Sequence, residues 1–543
     1  MAGVAPSVYE PKLVTVLREG YRLDDLKADA ISGLTVAIVA LPLSMAIAIA
    51  SGVSPERGLY TAIVGGFIVS ALGGSRFQIG GPAGAFIVLV AATAAAHGLQ
   101  GLLLATAMSG LMLTLLGLLR LGAFIRYMPY PVTVGFTGGI SVIILASQLK
   151  DFLGLKLGGP EPGPLAPKLV ALFQALPTLN PASVVVAVGV VAVIMLLKRL
   201  RPHWPNLLIA IGLASLAAFA IHAPVETIGD RFGGIPRGLP APRLPPVSLT
   251  AVQAVFPAAL SFTLLGAIES LLSAVVADSM SGRRHRPDTE LVAQGLANIG
   301  SALFGGIVVT GTIARTATNV RSGGKSPLAG MLHALFLLVF MMIAAPLAAY
   351  IPLAALAGLL ATVAWNMAEK HEFATLLRAS KGDAAVLLTT FGLTLAKDLT
   401  TGIIAGFSLG ALLFIHRMAK AVEVAGGEGE GFGSVTMDRD MAVLKISGAF
   451  FFGATGHVGA ALDAIGERPK GYVLDLSDAA VLDSSGAAAI AAFARKAARD
   501  GAGICVAGAS SEVARTLMRQ GLRPPLARFR TSVEAAARAL RRA

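Results

Sequence analysis

The chain has a single cysteine, Cys505, among 543 residues, only two tryptophans, and charged side chains at just 14% of its positions. One cysteine excludes an intrachain disulfide framework and a multi-cysteine metal centre. So little charge excludes an ordinary soluble enzyme of this length, which would need far more polar surface to stay dissolved. Acidic residues are scarce too, 31 against 44 basic ones, for a net charge of +13. That excess raises nucleic acid as a partner. The basic residues are scattered over loops, however, with no arm or aromatic platform beside them, so none is expected. Met1 to Lys27 is polar and the first apolar block lacks an exit-side cleavage site, so no cleavable signal peptide is expected.

What the chain does have is apolar length. It is 55% hydrophobic, with a mean hydropathy of +0.74. The apolar residues form long blocks: Leu99 to Leu119 contains no ionisable side chain and is long enough to cross a bilayer. Candidate spans lie near 30–50, 56–73, 82–97, 99–119, 130–149, 181–197 and 204–222. A second set lies near 254–276, 289–306, 312–320, 326–349, 352–367, 383–396 and 399–416. Several fall short of the roughly 20 residues a full crossing needs. These carry Gly, Pro or Thr at an end, as half-helices do in transporters with broken helices.

Charge tests this parsing independently. With the N-terminus in the cytoplasm, the inner segments hold clusters such as Lys12/Arg18/Arg22/Lys27, Lys198/Arg199/Arg201, Arg283/Arg284/Arg286 and Lys370/Arg378/Lys381. The outer segments hold Arg57, Lys150, Lys156, Lys168, Arg231, Arg237, Arg243 and Lys397, six of them in the two longest Pro-rich loops. Long loops obey the positive-inside rule least. The expected product is a multi-pass protein of the inner (plasma) membrane with both termini cytoplasmic.

After the last span the character changes. A Gly/Glu-rich linker at 421–434 leads into alternating β and α patterns. Met441–Ser447, Tyr472–Ser477 and Ile504–Ala509 read as buried strands, and helices are expected near 455–466, 485–499 and 511–520. The domain plan is a segment 1–29, a membrane domain 30–420, the linker, and a small cytoplasmic α/β domain 435–543.

Two features carry chemistry. Glu269 is the only ionisable side chain in Leu260–Val276. A carboxyl group there costs a few kcal/mol, so it should face a cavity or bind a cation. Burial without a partner favours the protonated acid, which suits proton exchange; the alternative is a protonated glutamate hydrogen-bonded between helices. The second feature is a matched pair of helix starts, Gly80-Gly-Pro-Ala-Gly-Ala-Phe86 and Thr310-Gly-Thr-Ile-Ala-Arg-Thr316. Free N–H groups and the dipole at such starts attract anions without a formal charge, and two meeting near the midplane would cradle one. Pro82 fits the first turn, where its missing N–H costs nothing. Close packing through small residues would explain either motif alone, but Pro42 precedes Gly81 much as Glu269 precedes Gly311, as an internal repeat predicts. Arg315 would raise the local positive potential, snorkel, or pair with Glu269. His97, His222 and His333 read as interfacial or packing residues. Asp383, Lys397 and Asp398 read as salt-bridged structural groups. Asp483-Ser-Ser-Gly486 opens a helix, where Ser484 or Ser485 would cap it or, if phosphorylated, alter partner binding. No Ser/His/Asp or metal-ligand constellation accompanies it, so no enzyme is expected.

Taken in order, these stretches resemble the SulP/SLC26 anion transporters. Leu41-Pro-Leu-Ser-Met-Ala46 and Gly52-Val-Ser-Pro-Glu-Arg-Gly-Leu-Tyr60 are similar to the family's opening signature. Gly80–Gly84 is similar to its third-helix start, and Ala314–Asn319 with Gly323–Leu328 to its tenth helix. The terminal domain resembles a STAS domain, with Asp483–Gly486 similar to the loop phosphorylated in anti-sigma-factor antagonists. The resemblance implies a polytopic α-helical membrane protein with fourteen spans in two inverted seven-helix repeats. These divide into a core and a gate, an architecture shared with nucleobase transporters, and the STAS domain follows. It implies secondary active transport of a small anion (bicarbonate, sulfate, chloride or a dicarboxylate) by elevator-like movement, with homodimers common. The anion would sit among Gly81, Pro82, Ala83 and Gly84, and Thr312, Ile313, Ala314 and Arg315, with Leu43 and Ser44 closing one side. Leu43 stands where the family often has a polar residue. Glu269 matches the acidic position that holds a coupling cation and Ser273 a polar position used by sodium-coupled members; glutamate rather than aspartate leans towards protons. No other cofactor is implied. An uncoupled exchanger or channel, and a membrane-anchored regulator whose STAS domain binds a cytoplasmic partner, are the alternatives.

Overall fold

The computed structural model describes residues 9–125, 128–159, 161–201, 204–420, 423–425, 441–451 and 469–542. The chain forms two compact units, Met1–Phe407 and Ser408–Ala543.

The first half of the membrane unit starts with α1 (Lys12–Gly20) and α2 (Leu23–Ala50), which carries Pro42. Next, α3 (Pro55–Tyr60) runs through a π-turn at Thr61–Gly65 into α4 (Gly66–Leu72). The short strand β1 (Gly80–Gly81) precedes α5 (Ile87–Leu118), α6 (Gly122–Ile125) and α7 (Tyr130–Leu153). The half closes with α8 (Leu165–Ala175), α9 (Pro181–Leu200) and α10 (Asn206–Ala220). Pro55, Pro131 and Pro181 all fall in first turns, where no N–H is needed. Inside α5, Gly98 adopts φ +65° and ψ −175°, a conformation open to glycine. It divides an otherwise unbroken apolar run into the two segments expected at 82–97 and 99–119.

The second half repeats the plan. After α11 (Ile228–Phe232) come α12 (Leu249–Ser281) and α13 (Pro287–Leu303). The strand β2 (Thr310–Gly311) leads into α14 (Ile313–Arg321) and α15 (Leu328–Ala348). Then follow α16 (Leu353–Met367), α17 (Lys370–Ala379), α18 (Lys381–Ala396) and α19 (Leu399–Lys420). Segment by segment, α2 matches α12, and α3 with α4 matches α13. β1 with the first part of α5 matches β2 with α14, and the rest of α5 matches α15. Finally α7, α9 and α10 match α16, α18 and α19. β1 and β2 pair antiparallel, Gly80 with Gly311 and Gly81 with Thr310, so the halves meet in opposite directions.

Two packed groups result. In one, α15 lies on α2 and α4, while α5 lies on α12 and α13. In the other, α7 lies on α16 and α18, and α9 on α16 and α10. Small residues set the closest approaches: a Cβ on Gly110 or Gly295 would run into the facing backbone of the other helix.

In the second unit, β3 (Glu423–Ala425), β4 (Met441–Phe450), β5 (Gly471–Asp475), β7 (Gly503–Ala507) and β8 (Arg528–Arg530) form a sheet in that order, with β6 (Ala479–Leu482) beside the end of β4. All pairings are parallel except β3 with β4. Helices α20 (Ser484–Arg499), α21 (Ser511–Arg519) and α22 (Val533–Arg541) cover it. Successive strand residues face opposite sides: Leu474 and Val506 pack with Ile490 and Leu517, while Val473 and Cys505 pack with Ala536 and Leu540. Burial on both faces explains the continuous apolar runs of β5 and β7. Glu423–Ala425, assigned to a linker by its neighbours' Gly/Glu composition, is instead an edge strand because its backbone pairs with Lys445–Ser447. The helix expected at 455–466 and the rest of the linker lie outside the described residues.

Candidate anion-binding site

The site grows from the β1–β2 crossing. Thr312 donates from both its backbone N–H (3.0 Å) and Oγ1 (3.1 Å) to the Ile79 carbonyl, extending the pairing by one rung. Beyond it, each strand turns straight into a helix. Ala83 precedes a turn at Gly84–Phe86 that leads into α5, and Thr312 precedes α14; neither start has a side-chain cap. Two helix N-termini with uncapped N–H groups therefore converge, each carrying partial positive charge. Ala83 is buried at the crossing while Ile313 and Ala314 are exposed. Gly84 faces Met367 of α16 and Ile144 of α7, so the first start looks from one packed group onto the other.

Arg315 lies behind the crossing, 1% exposed. Its Nη2 donates to Ser44 Oγ at 3.0 Å and to the Pro82 carbonyl at 3.4 Å, while Nε and Nη1 have no hydrogen-bond partner. A Cβ on Gly81 would collide with Nη1, so glycine there is what lets the guanidinium approach the backbone. Snorkelling is excluded by this burial. Pairing with Glu269 is not what forms either: among the described residues no carboxylate reaches the guanidinium, whose contacts are a hydroxyl and a carbonyl. Leu43 and Ser44 are both buried on α2, and Ser44 reaches the site through Arg315.

Glu269 is 7% exposed on α12 and has no hydrogen-bond partner among the described residues. Its neighbour Ser270 is tied to β2, with Oγ 2.9 Å from Thr310 Oγ1 and accepting from Gly311 N at 3.3 Å. Ser273 donates to Thr316 Oγ1 (3.1 Å), which also accepts from Ile79 N (3.0 Å). The Ser270 to Ser273 turn thus docks directly on the second helix start.

Sequence reasoning missed the residues that hold this scaffold. Asn298 accepts from Val309 N and donates to Val309 O, both at 2.9 Å. Glu290 takes four hydrogen bonds, from Gly74 N, Ser75 N, Gln78 Nε2 and Gln294 Nε2. The Gln78 amide fills the space where Gly311 lacks a Cβ. Thr310 and Thr316 sat inside the motif already singled out; a polar residue at each end of a helix break was their signal. Asn298 and Glu290 gave none, because one polar residue in a helix looks like any other.

The remaining candidates lie elsewhere. His333 is buried in α15 with neither ring nitrogen partnered, a packing residue as expected. Asp398 caps α19 through Thr401 N and Oγ1, so a helix start rather than a salt bridge uses its charge. Asp383 accepts from Ser380 Oγ at 2.7 Å at the start of α18. Ser484 and Ser485 are exposed at the first turn of α20, where Asp483 is the cap, accepting from Gly486 N at 2.7 Å.

Residues 26–390 match the Sulfate permease family and residues 434–536 the STAS domain. The chain belongs to the sulfate permease family. As a member of that SulP/SLC26 family it is a multi-pass anion transporter, not an enzyme, with a C-terminal STAS domain. It is 38% identical over 506 residues to YvdB of Bacillus subtilis, a protein named for sulfate transport, covering 93% of this chain and 95% of that one. It is 34% identical to the bicarbonate transporter BicA of a Picosynechococcus species, over 73% of this chain and 71% of the relative. Its fold matches the murine anion transporter Slc26a9 in the inward-facing state, with a TM-score of 0.88 at 18% identity, over 100% of this chain and 96% of that one. The transmembrane domain of a cyanobacterial BicA matches with a TM-score of 0.62 at 31% identity, over 72% and 98%.

Proposed function

We propose that this protein carries a small inorganic anion, bicarbonate or sulfate, across the membrane by cation-coupled symport, the core group α2–α5 and α12–α15 moving against the gate group. The observation that carries this reading is the pair of uncapped helix starts, Ala83–Gly84 and Thr312–Ala314, backed by an arginine with no counter-ion among the described residues. Such a site attracts an anion through N–H groups and dipoles and holds it without a covalent or metal ligand. Gly81 and Pro82 shape the first start, and Leu43 and Ser44 form the wall on α2. Relatives named for bicarbonate and for sulfate support both substrates.

Glu269 is the coupling group in this reading. A partnerless intramembrane carboxyl group beside the anion cradle is neutralised by a proton or cation, and loading it favours the anion electrostatically. Ser273, one turn on, is the polar neighbour available to a sodium ion. Glutamate rather than aspartate points to protons. The protein is proposed to work as a homodimer in the inner membrane with both termini cytoplasmic, residues 435–543 forming the regulatory domain and Ser484 or Ser485 its phosphorylation point.

The test is uptake of labelled bicarbonate and sulfate into proteoliposomes under an imposed pH or sodium gradient. Accumulation driven by one gradient and abolished by Glu269→Gln is the expected result. Accumulation unchanged by Glu269→Gln would end the coupling role, and anion currents indifferent to both gradients would make the protein a channel.

A further inference from the structure

Away from the anion site, a cavity of about 520 Å³ lies between α2, α10 and α15. Leu41 and Met45 of α2 and Phe340 and Met341 of α15 form one wall, and Ile211 and Leu216 of α10 the other. Among the described residues no charged side chain lines it. All three helices are membrane segments, and the rim residues Leu216, Phe219, Leu347 and Tyr350 are each more than half exposed. The cavity therefore opens sideways among side chains that face lipid. At the rim, Phe219 and Tyr350 meet edge to face, ring centroids 5.3 Å apart, beside the ends of α10 and α15. Aromatic side chains at segment ends mark the level of the lipid headgroups. Besides the Tyr350 hydroxyl at the rim, the wall carries Ser215, one turn along α10 from Phe219, whose Oγ is buried and has no hydrogen-bond partner among the described residues. A hydroxyl left unpaired in such surroundings is costly.

We infer that this cavity binds the acyl chain of a membrane phospholipid, with the Ser215 hydroxyl turning outward to donate a hydrogen bond to the ester carbonyl. An apolar space of this size beside bilayer lipid gains dispersion contacts and loses a void when a chain enters. The aromatic rim sets the headgroup end, and the hydroxyl just below it lies where the glycerol esters follow. A water-soluble ligand is a poor occupant, since nothing charged or multiply polar is there to recognise it.

The walls belong to both packed groups, so the cavity changes shape whenever one group slides past the other. On α2, Leu41 and Met45 are one turn apart and face the cavity, while Ser44 on the adjoining face holds Arg315. A bound chain thus braces α2 from behind the Ser44–Arg315 contact and opposes relative movement of the two groups. The inference does not depend on which anion is carried.

Full-length protein in phosphatidylethanolamine–phosphatidylglycerol liposomes doped with a phosphatidylcholine bearing a mid-chain diazirine tests it. After irradiation, peptide mass spectrometry should find label concentrated severalfold at Met45, Leu216 and Met341 over Leu213 and Ile343, which face the bilayer but do not line the cavity. Gly212→Phe with Ala344→Phe fills the space and should erase the enrichment. Ser215→Ala should lower the enrichment without erasing it. Should the double variant lack a cooperative melt, Ser215→Leu alone narrows the cavity and should lower the enrichment. Equal labelling of cavity and outer positions, or enrichment that survives filling, overturns the proposal.

Discussion

Arg315 Nη2 donates to Ser44 Oγ at 3.0 Å, so the second half's broken helix is anchored to the first half's opening helix. Ser44→Ala leaves that nitrogen only the Pro82 carbonyl at 3.4 Å. Removing one partner of a buried charged donor costs about 1–3 kcal/mol. Thermal unfolding in detergent should show a lower midpoint for Ser44→Ala and recovery in Ser44→Thr, which keeps the hydroxyl. Arg315→Gln should lower anion uptake at least tenfold, about 1.4 kcal/mol, measured as initial rates in proteoliposomes.

Gly81 and Gly311 face each other's halves with no room for a methyl group. A Cβ on Gly81 meets Arg315, and one on Gly311 meets the Gln78 amide. Overpacking of this kind costs about 1–3 kcal/mol. Gly311→Ala should lose stability and uptake, and Gln78→Ala should recover part of both by vacating the space. Independent effects in the double variant would mean the two residues do not compete.

Hydropathy revealed the long segments such as α2, α7 and α12 because a bilayer-length apolar run leaves an unambiguous trace, whereas short α14, with Arg315 and Arg321 in its nine residues, leaves none. The helix breaks showed as Gly, Pro and Thr at segment ends, and Glu269 as a lone charge. The partners of those features were not legible. That Arg315 meets Ser44 rather than Glu269 depends on how α14 rotates against α2, and no spacing encodes rotation. Strand β3 was hidden for a different reason: an edge strand is defined by its neighbour's backbone, so Glu423–Ala425 needs no apolar pattern of its own.

Glu290 uses its carboxylate to organise the loop before β1, accepting from Gly74 N at 2.8 Å and Ser75 N at 3.0 Å. Glu290→Gln puts an NH₂ group against one of those donors, or loses the Gln78 contact. A cost of about 1–3 kcal/mol is expected for the buried group left unpaired. The melting midpoint should fall, with a larger fall in uptake because β1 carries half the crossing.

Arg231 of α11 forms ion pairs with Glu226 and, at 2.9 Å, with Asp151 near the end of α7. The hydrogen bond from Arg231 holds the Glu226 carboxyl below its ordinary value of 4.5. A depressed carboxylate stabilises the fold above that value, and the contribution is lost as pH falls through the folded value. Melting curves should therefore decline on acidification below pH 4.5 in the native chain and less steeply in Glu226→Gln; identical slopes would exclude the contact.

Cys505 is buried in β7, and burial raises its thiol above the ordinary value despite Arg530 and Arg528 nearby. At neutral pH it stays protonated and shielded, so a maleimide should react slowly with the native protein. Urea that opens the C-terminal sheet should release the thiol at once. Labelling by mass spectrometry then reports the unfolding of that unit alone, because the chain has no other cysteine.

The two-residue pairing of Gly80–Gly81 with Thr310–Gly311 also dictates an order of birth. A nascent chain exposes β1 to the translocon long before β2 has been made, and until then its backbone rungs have nothing of their own chain to close on. The first repeat must wait with that seam open, and a ribosome that stops short of Thr310 releases a protein whose seam cannot close. Quality control that reads exposed backbone would find such fragments there first.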